Sequence, residues 1–154
     1  MLQITEPDYD SNLEQIRVLF LEYWRWLGFE PCVQNFDEEF KSLPGQYSPP
    51  DGCILVALWG SELAGCVALR GLNTSGCEMK RLFVRPAFRG REIGLALASA
   101  IIEQARSRGY AYMRLDTLPT MKTAISIYRA LNFKEIKPYT NEKIPGARYF
   151  ELAL

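Results

Sequence analysis

The sequence predicts an α/β fold: a mixed β-sheet with helices on both faces. Two observations carry this. Apolar runs of strand length alternate with segments of helical spacing in the order β-α-α-β-β-β-α-β-α-β-β. The three central runs are separated by joins short enough for hairpins, so part of the sheet is antiparallel. With 154 residues, 48% of them hydrophobic and 23% charged, the chain is long enough for one domain across 1–154 with a real core, and too short for two ordinary ones.

Each element has its own local reason. LQIT (2–5) reads as a short strand ended by Glu6-Pro7-Asp8. From about Ser11 the positions Leu13, Ile16, Phe20, Tyr23 and Leu27 recur at helical spacing, and Gly28 supplies a stop. Asn35 or Asp37 can cap a second short helix running through Leu43. After the turn at 48–52 come CILVAL (53–58), LAGCVALR (63–70) and CEMKRLFV (77–84). A helix from about Glu92 to Arg108 follows, stopped by Gly109, then the strand YAYMRLDT (110–117). The next helix carries Ala124, Ile127, Tyr128 and Leu131 on one face, with Asn132 as a left-handed cap. Strands FKEIKPY (133–139) and ARYFELAL (147–154) close the chain.

Composition excludes several chemistries. Histidine is absent, and Cys32, Cys53, Cys66 and Cys77 show no CxxC spacing, which argues against a metal site and a His-based triad. The cysteines are expected to be reduced. No apolar run reaches the roughly 18 residues of a membrane span, and no signal-like segment opens the chain. A cytoplasmic protein with no membrane partner is expected. Acids and bases balance at 18 each, but residues 1–50 hold nine acids against three bases, leaving nine and fifteen for the rest. That asymmetry is compatible with two differently charged ligand surfaces and also with scattered solvated charges.

The most informative stretch is VRPAFRGREIGLAL, from Val84. It lacks the spacing of a Walker A loop and of a dinucleotide fingerprint. It is a strand feeding a helix N-terminus through Arg89-Gly90-Arg91, with Lys80, Arg81 and Arg85 nearby and no acid among residues 80–91. Helix N-termini present unpaired N–H groups and partial positive charge, a setting that binds phosphate. Gly90 and Gly94 let backbone approach a ligand. The bland reading of the same residues is a solvated basic turn.

LFVRPAFRGREIGLAL resembles the acetyl-CoA-binding signature of the GNAT superfamily of N-acetyltransferases, and AISIYRALNF is similar to that family's downstream A-x-x-L-Y-x-x-x-G-F segment. EMKRLFV, MRLDTLPTM and the closing PYTNEKIPGARYFELAL resemble a bacterial subgroup of it. The resemblance implies a GNAT-like sheet with splayed central parallel strands and acetyl-CoA as co-substrate, with no metal. The pyrophosphate would lie on N–H groups of Arg91, Glu92, Ile93, Gly94 and Leu95, beyond the Arg89-Gly90 turn. Leu82, Phe83 and Val84 would pair with the pantetheine arm as an added strand does. Two departures stand out: Glu92 occupies the first glycine position of the pattern, and Met121 stands where many members have asparagine.

By the same alignment Tyr128 is the general acid for the leaving thiolate, and Glu78 holds the position of a general-base glutamate. The plain readings are that Tyr128 packs with Ala124 and Leu131, and that Glu78 is an exposed strand end. Alternation places Glu78 on one side with Lys80, Leu82 and Val84. Tyr23, Trp26 and Tyr47 among N-terminal acids, with Tyr139 and Asn141 opposite, are candidates for an aromatic pocket that takes a cationic amine. The expected function is acetyl transfer to a primary amine of a small molecule or peptide. A CoA-binding sensor without turnover is the alternative; a nucleic-acid module has only the basic run 80–91 behind it. A homodimer stays open.

Overall fold

The computed structural model describes residues 1–28, 36–141 and 144–154. Its elements are β1 (Leu2–Thr5), α1 (Leu13–Leu27), α2 (Phe36–Ser42), β2 (Cys53–Trp59), β3 (Glu62–Gly71), β4 (Gly76–Val84), α3 (Ile93–Ser107), β5 (Tyr112–Thr117), α4 (Lys122–Ala130), β6 (Lys134–Ile136) and β7 (Arg148–Ala153). The order is the one expected. The strands form one mixed sheet, β1-β2-β3-β4-β5-β7-β6, in which β4–β5 is the parallel pair.

Local signals explain most boundaries. α1 ends where Gly28 turns left-handed at φ +78° and its N–H reaches the carbonyls of Trp24 and Arg25. Asn132 takes φ +73° after α4, as its side chain tolerates. Asp37 lies inside the first turn of α2 with Glu38 and Glu39, where acids complement the helix dipole, rather than capping it. Asn35 and Cys32 lie outside the described residues. The strand expected over 133–139 is shorter: Phe133 turns into the core and only Lys134–Ile136 pair with β7.

Alternation along the strands feeds two apolar layers. Leu55, Val67, Leu69, Met79 and Met113 pack with Leu97 and Ile101 of α3 and Ile125 of α4. Ile54, Val56, Ala68 and Phe83 pack on the other face with Ile16, Phe20 and Trp24 of α1 and Phe36 of α2. Trp24 stacks on Phe36, centroids 4.5 Å apart and planes 4° from parallel. Cys53, Cys66 and Cys77 are free and buried; burial pushes the Cys53 thiol to about 11 and that of Cys77 to about 12, so they stay protonated and inert.

Two irregularities of β4 build the site. First, its register with β3 passes from Ala68↔Lys80 to Cys66↔Phe83, so Arg81 and Leu82 together oppose Val67. Arg81 sits in this bulge at φ +60°. One inserted residue inverts a period-two pattern. Glu78 and Lys80 therefore do not share a side with Leu82 and Val84: after the bulge Leu82 and Val84 turn to the α3–α4 layer, and Phe83 to the α1–α2 layer. Second, β4 and β5 pair only at Gly76↔Tyr112, Cys77↔Met113 and Glu78↔Arg114. Beyond Glu78, β4 stays with β3 while β5 follows β7, and a wedge opens between them.

The bulge is tied down from outside the sheet. Arg81 is buried, and its Nε and Nη2 donate to Glu39 Oε2 and Oε1 at 2.8 and 2.7 Å. Tyr47 Oη and Gln46 Nε2 donate to Glu39 Oε1 at 2.7 and 2.8 Å. Trp24 and Tyr23 present their rings to the guanidinium, at 5.6 and 6.0 Å. A bidentate pair whose carboxylate takes further hydrogen bonds is the arrangement in which a buried ion pair holds geometry without leaving a charge exposed to apolar surroundings.

Candidate active site

The C-terminal half of β4, the start of α3 and one side of α4 enclose an open groove of about 550 Å³. Leu82, Phe83, Val84, Arg89, Gly90, Glu92, Ile93, Gly94 and Leu95 all line it. Arg91 does not; its guanidinium lies 4.8 Å over Trp59 and 5.7 Å from Phe88. At the helix start the first turn closes with Ala96 N–H on Glu92 O at 3.1 Å, so the preceding N–H groups have no intrahelical acceptor. A Cβ on Gly94 would stand 3.0 Å from Ile127 Cδ1, so glycine there lets α3 pack closely on α4. Trp26, 47% exposed, lines this groove and carries the Arg89 guanidinium 4.9 Å above its ring. It belongs to the groove wall, not to the separate acceptor pocket expected for it.

Glu92 explains its own departure from the signature. It adopts φ +60°, ψ +21°, the left-handed conformation that glycine takes most readily. Glu92→Gly is expected to raise stability by about 0.5–1 kcal/mol and to tighten binding of coenzyme A by removing a carboxylate from a helix N-terminus. Thermal denaturation and calorimetry check both; weaker binding would mean that anionic groups do not meet this turn.

Where the wedge opens, a chamber is lined by Tyr23 and Leu27 of α1, Lys80 and Arg81 of β4, Asp116 and Thr117 of β5, Tyr128 of α4, and Ile144 and Ala147. Leu82 and Met121 line both spaces, so the chamber, about 40 Å³, lies next to the groove. Tyr128 is 4% exposed, wedged against Phe133 and Phe150 with centroids at 5.7 and 6.2 Å. It therefore packs in the core and also lines the chamber. Burial first, then Tyr23 and Asp116, hold its phenol far above the ordinary value, so it remains an O–H donor. Burial likewise pushes Tyr23 up to about 12.

Glu78 is not an exposed strand end. It is 3% exposed, takes Arg70 Nε at 2.6 Å and the Tyr139 hydroxyl, and has Lys80 Nζ at 3.9 Å. Burial alone would raise its pKa, but the Lys80 and Arg70 charges and these hydrogen bonds outweigh it and hold the carboxyl below its ordinary 4.5. Such a carboxylate is a weak base. Its stabilising effect is complete above the ordinary value and is lost as pH falls through the depressed one. Glu78→Gln is expected to flatten that acid loss, read by denaturation across pH 2.5–6.

Among the described residues the N-terminal aromatics and acids do not come together in one pocket. Tyr47 is fully buried and bound to Glu39, Glu22 pairs with Arg85, and Tyr139 reaches the region through Glu78. Asn141 is exposed. Tyr23 does line the chamber. Sequence reasoning missed Lys80, Arg81 and Asp116 as chamber residues. The signal for Asp116 was present: in YMRLDT it alternates, with Arg114, against buried Met113 and Leu115, and it stands nearest the strand's C-terminal end.

Fold and cleft together define a class: an α/β protein whose mixed sheet splits between its parallel strands, with a groove and a chamber at the split. The chain matches the Acetyltransferase (GNAT) family over residues 13–133 and belongs to it; it is an N-acetyltransferase. An uncharacterized N-acetyltransferase of Schizosaccharomyces pombe is 36% identical over 156 residues, covering 99% of this chain and 95% of that one. A GNAT-family acetyltransferase from Staphylococcus aureus superposes with a TM-score of 0.82 at 19% identity, covering 99% of each chain. The PaiA N-acetyltransferase of Thermoplasma acidophilum, solved in complex with coenzyme A, superposes at 0.76 with 19% identity, covering 100% of this chain and 99% of that one. Among the described residues no helix is long and apolar enough to cross a membrane.

Proposed function

We propose that this enzyme transfers an acetyl group from acetyl-CoA to a primary amine of a small molecule or peptide. The observation that carries the reading is the groove along the open edge of β4 with a chamber next to it whose wall holds the buried, protonated Tyr128. The pyrophosphate of the donor lies on the N–H groups that open α3, and its pantetheine arm runs along Leu82–Val84, which do not pair with β5; Arg89 Nε, which donates to Val84 O at 3.1 Å, borders this edge. The neutral amine attacks the thioester carbonyl carbon. A C–N bond forms, the C–S bond breaks, and the Tyr128 hydroxyl donates a hydrogen bond to the negative charge developing on the leaving sulfur. The proton that the amine loses passes through a carboxylate or solvent to the thiolate, which leaves as the thiol. Asp116, which lines the chamber, is the carboxylate that faces the amine; Glu78, held charged by Arg70 and Tyr139, orients Lys80 and the strand.

Two measurements test this. Millimolar acetyl-CoA should raise the melting temperature, because only the folded chain has the split sheet. Thiol release should then appear with amines in a broad screen. No thermal shift would sink the proposal; a shift without turnover by any amine would favour the sensor.

A further inference from the structure

The open edge of β4 is covered by a side chain of the protein itself. A Cβ on Gly65 would stand 2.4 Å from Phe83 O, and Arg85 N–H donates to Ala64 O at 2.8 Å, so both groups face β3. Successive carbonyls along a strand point to opposite sides, and the C=O and N–H of one peptide point apart. Val84 O therefore faces away from β3, on the side where β4 and β5 have parted. Arg89 Nε donates to it at 3.1 Å. The guanidinium lies 4.9 Å over the ring of Trp26, which is 47% exposed, and among the described residues no carboxylate pairs with it. One side chain thus reaches from β4 to α1 across the groove that Trp26, Val84 and Arg89 all line.

We propose that Arg89 is a strap that occupies the seat of the donor's pantetheine amide and gives it up when the donor binds. The inference rests on the acetyl-transfer reading above, which lays the pantetheine arm along Leu82–Val84. Addition of that arm as a strand needs an edge carbonyl to accept an amide N–H. Val84 O is such a carbonyl, and Arg89 holds it. In the free protein the contact satisfies an edge acceptor that would otherwise stand open to another strand. The strap is built to be released. Arg89 is exposed, and it is held by one hydrogen bond and one cation–π contact at an exposed ring. Arg81, on the same strand, is held instead by a buried bidentate pair with Glu39. No bond of either substrate is made or broken in the exchange.

The experiment titrates pantetheine, which lacks the phosphates, and coenzyme A into the unaltered protein and the Arg89→Met variant. Methionine keeps a side chain against Trp26 and leaves Val84 O open. Pantetheine is expected to bind the variant about threefold to tenfold more tightly, the worth of one net hydrogen bond. Coenzyme A is expected to gain less, because the variant also lacks a cation beside the helix N-terminus where the pyrophosphate lies. Pantetheine binding that is unchanged or weakened overturns the inference. The Arg89 Nε–H signal, followed by NMR and assigned by its loss in the variant, gives a second reading. It is expected to exchange faster with water once pantetheine saturates the unaltered protein. An unchanged exchange rate overturns the inference. Failure of the transfer reading looks different: both compounds bind but no amine is acetylated, and the exchange then stands on the titration alone. Where the unaltered protein binds neither compound, pantetheine binding by the variant supports the strap, and no binding by either protein overturns it.

Discussion

Glu39→Ala is expected to lower the folding stability by about 3–5 kcal/mol, the usual cost of removing one partner from a buried ion pair. The loss has three parts in this structure. Arg81 keeps a charge in a site where it is 3% exposed, Tyr47 loses the acceptor of a buried hydroxyl, and α2 loses its polar tie to β4. Equilibrium denaturation reads the total. The double variant Glu39→Leu with Arg81→Met should recover much of the stability, because no charge is then left uncompensated. It should not recover coenzyme A affinity to the same degree, since the left-handed bulge at Arg81 turns Leu82 and Val84 toward the groove and would have lost its anchor. Equal recovery of both would mean that the bulge persists without the pair.

Tyr128→Phe is expected to reduce kcat by roughly 10²–10³-fold, the range for losing one hydrogen bond to charge that develops in the transition state, with acetyl-CoA affinity nearly unchanged. The ring's packing on Phe133 and Phe150 survives the substitution, so stability should fall little. Burial keeps the wild-type phenol protonated well beyond neutral pH, so its own ionisation should not shape the rate profile between pH 6 and 9. Full activity in the phenylalanine variant would leave Tyr128 a packing residue.

Much of the fold was legible because its signals are local. Helical spacing from Leu13 to Leu27, the stop at Gly28, the left-handed Asn132 and the short joins between β2, β3 and β4 each depend on neighbours in sequence. The groove was legible for the same reason: a glycine-bearing turn at a helix start is a local object, and most residues named for it line it. The chamber was not. Alternation assigned Leu82 and Val84 to the face of Glu78, and that holds only while no residue is inserted; the bulge that inverts it is held by Glu39, 42 residues away from Arg81. Glu78 reads as an exposed strand end until β3 and the segment after β6 bring Arg70 and Tyr139 onto it, which lowers its basicity. Lys80 and Asp116 sit on strands that pair only as far as Glu78, so their approach to 3.9 Å depends on where that pairing stops. Sequence by itself determined the elements, their order and the ligand-binding turn, since backbone preference and capping act over a few residues. Tertiary structure alone decided which charges face one another across the wedge, because register, bulge and splay depend on contacts between distant segments.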